Sequence, residues 1–201
     1  MKKLIVSLML TLGVSTVVQA AGDATAGQAK AALCGACHGV EGVSAAPTFP
    51  NLAAQGERYL VKQMQDIKSG DRVVVEMTGM LNALSDQDLA DIAAYFSAKA
   101  PATGAADPAL VALGESIYRG GNLSKGTPAC NACHSPTGQG NDLAGFPALS
   151  GQKAAYTAKQ LRAFREGERT NDGDTRIMRD IAEKLSNKEV DAVASFIEGL
   201  R

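Results

Sequence analysis

The chain has 201 residues, with 20 lysines and arginines against 21 aspartates and glutamates and a formal net charge of −1. That balance excludes the basic surface a nucleic-acid binder needs, so no nucleic-acid partner is expected. Two histidines, four cysteines and no tryptophan leave few groups for site chemistry and few aromatics for a core.

Met1-Lys2-Lys3 leads into a largely apolar run from Leu4 to Val18, followed by Gln19-Ala20-Ala21. A basic start, a short apolar run and a small-residue end read as a secretory signal over residues 1–20. The run is shorter than the ~20 apolar residues of a spanning helix, and Gly13, Ser15 and Thr16 weaken it further. Removing Lys2 and Lys3 leaves an acidic mature chain.

Next comes Cys34-Gly35-Ala36-Cys37-His38, and much later Cys130-Asn131-Ala132-Cys133-His134. Cys-x-x-Cys-His is the attachment signature of a c-type haem: two thiols add across the vinyl groups of one porphyrin, and the adjacent imidazole is held under the iron. Cys34, Cys37, Cys130 and Cys133 are therefore expected to hold two covalent haem c groups, with His38 and His134 as proximal ligands. The two motifs use every cysteine and histidine in the chain. A thioredoxin-like dithiol would sit in a βαβ pattern, and none is visible. A four-cysteine zinc site pairs its Cys-x-x-Cys units roughly 15–20 residues apart and needs no histidine after both. Covalent haem attachment outside the bacterial cytoplasm agrees with the signal and points to the periplasm.

The coarse pattern is helical, with no strand-like alternation of useful length. Helices are expected before each first cysteine, over Tyr59–Ser69 and over Tyr156–Glu166. Ser85-x-x-Asp88 and Ser186-x-x-Glu189 read as capping boxes. Behind them Leu89, Ile92, Ala93 and Phe96, and then Val190, Val193, Ala194 and Ile197, fall on one helical face. Residues 101–106 are small and uncharged and contain Pro101 and Gly104, as a linker should. Asp107-Pro108 reads as an N-cap and a first-turn proline.

The linker separates two repeats. Setting Cys34 on Cys130 brings Phe49-Pro50, Gln55, Tyr59, Gln63 and Arg72 onto Phe146-Pro147, Gln152, Tyr156, Gln160 and Arg169. After a loop-length difference, Met77, Leu84 and Ser85 fall on Met178, Leu185 and Ser186. The expected division is residues 1–20 signal, 21–100 first domain, 101–106 linker and 107–201 second domain. A half this small struggles to build a core from side chains alone, and a buried porphyrin supplies the missing apolar plate.

With both histidines used, a Met/His pair is the natural axial set. The second half offers only Met178. The first offers Met64, Met77 and Met80; Met64 falls on Leu161 and Met80 on Ile181, so both read as core, and Met77 alone falls on a methionine. Met77 and Met178 are the expected sixth ligands. The repeated Tyr, Gln and Arg positions are open between haem propionate contacts, packing and solvent exposure.

The mature chain resembles the dihaem cytochrome c4 family over its whole length. The resemblance is carried by Ala21-Gly22-Asp23, Gln55-Gly-Glu-Arg-Tyr, Glu76-Met-Thr-Gly-Met, Leu84-Ser-Asp-Gln-Asp, Gly140-Asn-Asp-Leu-Ala-Gly-Phe-Pro, Phe164-Arg-Glu-Gly, Asn171-Asp-Gly-Asp-Thr and Met178-Arg. It implies an all-α fold of two tandem class I cytochrome c domains, each wrapped around one covalent haem, related by a pseudo-twofold axis with propionates near the interface. In class I cytochromes c a proline after the motif offers its carbonyl to the free N–H of the proximal histidine, and Pro50 and Pro147 hold that place. The loop from Gly70 to Met77 is shorter than is common in the family.

The resemblance implies a periplasmic electron carrier and no enzyme. Its partners would be redox proteins, with a donor such as a quinol-oxidising complex and an acceptor such as a terminal oxidase, and peripheral membrane association is compatible with it. The alternatives are a haem subunit of a dehydrogenase, a dihaem peroxidase-like enzyme, or a sensor with a five-coordinate haem. A peroxidase needs an open iron face with acid–base groups beside it. No histidine remains for that task, and paired methionine ligands would close both faces.

Overall fold

The computed structural model describes residues 21–201, and the expected signal segment lies outside the described residues. The first half contains α1 (Ala24–Lys30), α2 (Gly35–His38), α3 (Glu57–Ser69) and α4 (Asp86–Ser97), with a 3₁₀ turn at Val75–Met77 before α4. The second contains α5 (Val111–Gly120), α6 (Asn131–His134), α7 (Ala154–Glu166), α8 (Ile177–Ala182) and α9 (Asn187–Gly199), with a 3₁₀ turn at Leu123–Lys125. Among the described residues no strand forms, and β pairing is limited to the isolated bridges Asn122↔Thr127 and Asn141↔Phe146. No described helix is long and apolar enough to cross a membrane.

Local chemistry starts and stops these helices. Both expected capping boxes form: the Ser85 and Ser186 hydroxyls accept from the Asp88 and Glu189 N–H groups, and those carboxylates accept from the serine N–H groups at 2.8 and 2.7 Å. Such caps satisfy N–H groups that the first turn leaves without partners. α3 and α7 both end on a left-handed glycine, Gly70 (φ 92°) and Gly167 (φ 73°). The second half departs from expectation at α5, which begins at Val111. Asp107 instead closes a preceding turn, accepting from Ala109 N–H at 2.9 Å through its side chain and from Leu110 N–H at 2.9 Å through its carbonyl. Its own N–H is held by the Ser195 hydroxyl at 2.8 Å, which fixes the turn against α9.

The predicted apolar faces are buried. Leu89, Ile92, Ala93 and Phe96 of α4 are at most 2 % exposed, as are Val190, Val193, Ala194 and Ile197 of α9. They anchor two separate cores, one with Leu60 of α3 and one with Ile117 and Tyr118 of α5. α1 crosses α4, and α5 crosses α9, with glycine at each contact. A Cβ on Gly27 would lie 2.0 Å from the Asp91 carbonyl oxygen, and one on Gly114 would lie 2.2 Å from that of Ala192. Only hydrogen fits there, so the backbones pack directly, and the first cysteine of each motif, Cys34 or Cys130, packs against the core of its half. The connecting segment lies against the second half: Ala102 is buried, and Gly104 sits against Glu198.

Candidate functional site

Each motif forms a single helical turn, α2 or α6, with its first cysteine at the N-cap and its histidine last. The chain then turns sharply at a positive-φ residue, Gly39 (φ 78°) or Ser135 (φ 70°), and comes back to a proline. Nδ1 of His38 lies 2.9 Å from the Pro50 carbonyl oxygen, and Nδ1 of His134 lies 2.9 Å from that of Pro147. A carbonyl only accepts, so each Nδ1 carries the proton and each Nε2 keeps a free lone pair for a metal. Burial holds both imidazoles below their ordinary pKa, against the opposing pull of the proline carbonyls. Neutral imidazole is the form that ligates a metal. Phe49 and Phe146 tilt against the two rings at equal centroid distances of 6.3 Å.

In the first half Cys34, Cys37, His38, Met77 and Met80 line one cavity of about 360 Å³. Met77 is half-buried at the end of its 3₁₀ turn. Met80 is not a core residue as expected; it lines the same cavity and is 38 % exposed. Met64 packs on the first core beside Leu60 and Phe96, as its repeat partner Leu161 packs on the second. Met178 is half-buried in the first turn of α8, which packs on α7. No two of the four cysteines are joined in a disulfide, which leaves all four sulfurs for thioether bonds. Among the described residues no three His, Cys, Asp or Glu side chains gather into a bare metal-ion site. In the first half the paired cysteines beside a neutral histidine with an open Nε2, facing this largely apolar cavity, fit a covalently held haem, and Cys130, Cys133 and His134 repeat the same motif turn.

The second half completes the wall of this first cavity with Tyr156, Lys159, Gln160 and Arg169. The repeated Tyr, Gln and Arg positions form one network between the halves. Arg72 donates to Tyr156 Oη at 3.0 Å, to Gln160 Oε1 at 3.1 Å and to Gln63 Oε1 at 2.9 Å. Arg169 returns the pattern, donating to Tyr59 Oη at 3.2 Å and to Gln63 and Gln160 Oε1 at 2.8 Å each. Both guanidiniums are buried, and among the described residues neither has a carboxylate within ion-pair distance. Burial would raise the Tyr59 hydroxyl, yet the two arginines pull its pKa below the ordinary value.

Two further contacts between the halves have no sequence signal beyond the repeat itself. Gln55 brackets the backbone of Ala148, and Gln152 brackets that of Asn51. Others break the symmetry. Lys159 meets Glu76 at 3.6 Å, whereas its counterpart Lys62 turns to Asp66 and to the Asn171 carbonyl. Asp142 accepts from Arg58 N–H at 3.1 Å, capping α3 from the other half where Gly56 has no side chain.

The sequence pattern of the cytochrome c family matches residues 24–98 and 111–201. The chain is 64 % identical over 200 residues to a protein called cytochrome c4 from Pseudomonas aeruginosa strain PAO1, covering all of both chains. It is 63 % identical over 209 residues to a cytochrome c4 from Stutzerimonas stutzeri, again over both whole chains. A crystal structure of reduced recombinant cytochrome c4 from Pseudomonas stutzeri superimposes with a TM-score of 0.89 at 64 % identity, covering 90 % of this chain and all of that one.

Proposed function

This chain belongs to the dihaem cytochrome c4 family, and on that premise we propose that it shuttles electrons in the periplasm from a quinol-oxidising complex to a terminal oxidase. The family assignment makes it an electron-transfer protein with two covalent haem c groups. Each bound haem supplies one iron that takes up and releases a single electron.

The observation that carries the reading is the matched pair of imidazoles, each with Nδ1–H tied to a proline carbonyl at 2.9 Å and Nε2 left free. Cys34, Cys37 and His38 hold one haem, and Cys130, Cys133 and His134 hold the other. Met77 and Met178 would each offer a thioether to one iron, which would raise its potential and close it to outside molecules. Pro50 and Pro147 fix ring orientation and tautomer. Arg72 and Arg169 supply positive charge at the first cavity wall, suited to propionates that would otherwise carry uncompensated charge. The two halves, residues 21–100 and 107–201, act as domains joined by residues 101–106. Docking to redox partners would use the small transient interfaces typical of electron transfer.

An absorption spectrum and a redox titration of the purified holoprotein test this. A weak red band from Fe–S(Met) ligation and two resolvable one-electron steps, both at positive potential, are expected. A strongly negative step, or absence of the band, would remove the methionine ligation and with it the carrier role.

A further inference from the structure

One peptide unit joins each proximal histidine to the opposite half. The Pro50–Asn51 peptide accepts from His38 Nδ1–H through its oxygen at 2.9 Å, and its N–H donates to Gln152 Oε1 at 2.8 Å. The Pro147–Ala148 peptide accepts from His134 Nδ1–H at 2.9 Å and donates to Gln55 Oε1 at 2.7 Å. Each glutamine also returns a bond from Nε2, to Asn51 O at 2.9 Å or to Ala148 O at 3.0 Å. Gln55, Gln152 and Asn51 are 6–8 % exposed and Ala148 is half-buried, so the bridges lie largely out of water.

We infer that Gln152 tunes the iron held by His38, and Gln55 the iron held by His134, each through a single peptide unit that crosses between the halves. The amide group is conjugated, so its N–H and C=O respond together. Accepting the N–H places more negative charge on the carbonyl oxygen, and chained hydrogen bonds strengthen one another. A stronger carbonyl acceptor holds the Nδ1 proton more firmly and makes Nε2 a better donor to the metal. Better donation favours the ferric state, so each glutamine lowers the potential of the iron in the other half. A purely adhesive glutamine would loosen the interface without selecting that iron.

The inference rests on His38 and His134 being the proximal ligands. The test uses the full-length holoprotein, with the two haems distinguished by proton NMR signals assigned through Met77→Ala and Met178→Ala. Gln152→Leu removes the acceptor, while Asn51 keeps its side-chain bonds to Gly151 O and Ser44 N, both at 2.9 Å. The His38 iron should shift about threefold toward ferrous, about 28 mV upward at ~59 mV per tenfold, with the His134 iron moving less. Gln55→Leu should shift the His134 iron instead. Gln152→Glu keeps an acceptor for Asn51 N–H and should leave the His38 iron at or below its original potential. A shift in the same half as the substitution, equal shifts in both irons, no shift, or a Glu variant that behaves like Leu would overturn the inference. A wild type lacking low-spin, histidine-ligated signals would overturn the ligand assignment, and the inference with it.

Discussion

Arg72 donates from Nη2 to the Tyr156 hydroxyl at 3.0 Å, so a buried cation of the first half ends on a phenol of the second. The repeat returns the bond from Arg169 to Tyr59, which leaves two guanidiniums sharing Gln63 and Gln160 as acceptors. Like charges held this close in a buried network are costly unless anionic groups join them.

Arg72→Met should therefore act on two measurements at once. It removes a cation from the first haem cavity, so the potential of that iron falls in a redox titration. It also takes the arginine donor from Tyr156, while Gln63 and Gln160 keep Arg169, and urea denaturation should show a loss of about 1–3 kcal/mol. An unchanged or raised potential would mean that the charge does not reach the iron.

Replacing Met178 with alanine should open one iron, and the reduced variant should bind carbon monoxide at one haem while the wild type binds essentially none. Met77→Ala should do the same at the other haem. Met64→Leu should leave the spectrum nearly unchanged, because Met64 packs beside Leu60 in the first core. Loss of a red ligation band in the Met64 variant would move the ligand assignment away from Met77.

Acid should weaken both halves over the same range. Asp91 is held down to about 2 by the Asp23 N–H, Lys30 and Gln87. Burial works against Glu189, but Lys125, Ser186 and Asn122 still bring it down to about 2. Ordinary carboxylates titrate near ~4. A depressed folded pKa stabilises above the unfolded value, and that stabilisation is lost as pH falls through the folded one. Helical circular dichroism should therefore become less resistant to urea between about pH 5 and pH 2. Asp91→Asn should be less stable at neutral pH and show a shallower fall over that window; an equally steep fall would place the acid response elsewhere.

The helix crossings set a steric test. Gly114→Ala puts a methyl 2.2 Å from the Ala192 carbonyl oxygen, and overpacking of this kind should cost about 1–3 kcal/mol or more in denaturant unfolding. Gly120→Ala, at the end of the same helix, meets nothing within 4 Å. It should be neutral or stabilise by up to about 1 kcal/mol. Equal losses from both would show that helix α5 does not need close contact with α9.

Motifs, caps and apolar faces were legible in the sequence because each is set by neighbours a few residues away. Ser85 and Asp88 need only one helical turn to find each other, and Val190 to Ile197 declare a face by spacing alone. The methionine loops were harder. Gly79 adopts φ 77° and stops the first half at a 3₁₀ turn, whereas Asp180 in the second half continues into α8. Met80 is thereby left at the cavity, although Ile181 suggests a core position. The partners across the interface were not legible at all. The repeat shows that Gln55 and Gln152 recur, but not that each reaches a backbone some hundred residues away. Tyr59 and Arg169 likewise recur without revealing that each meets the other across the two halves.

The bracketing of Ala148 by Gln55 and of Asn51 by Gln152 is self-complementary, the kind of contact a twofold homodimer makes. In a homodimer its occupancy would depend on how much protein is present. Here both copies lie on one strand of backbone, with residues 101–106 packed along the way, so association is intramolecular. Dilution cannot separate the pair, and it stays assembled however scarce the protein is in its compartment.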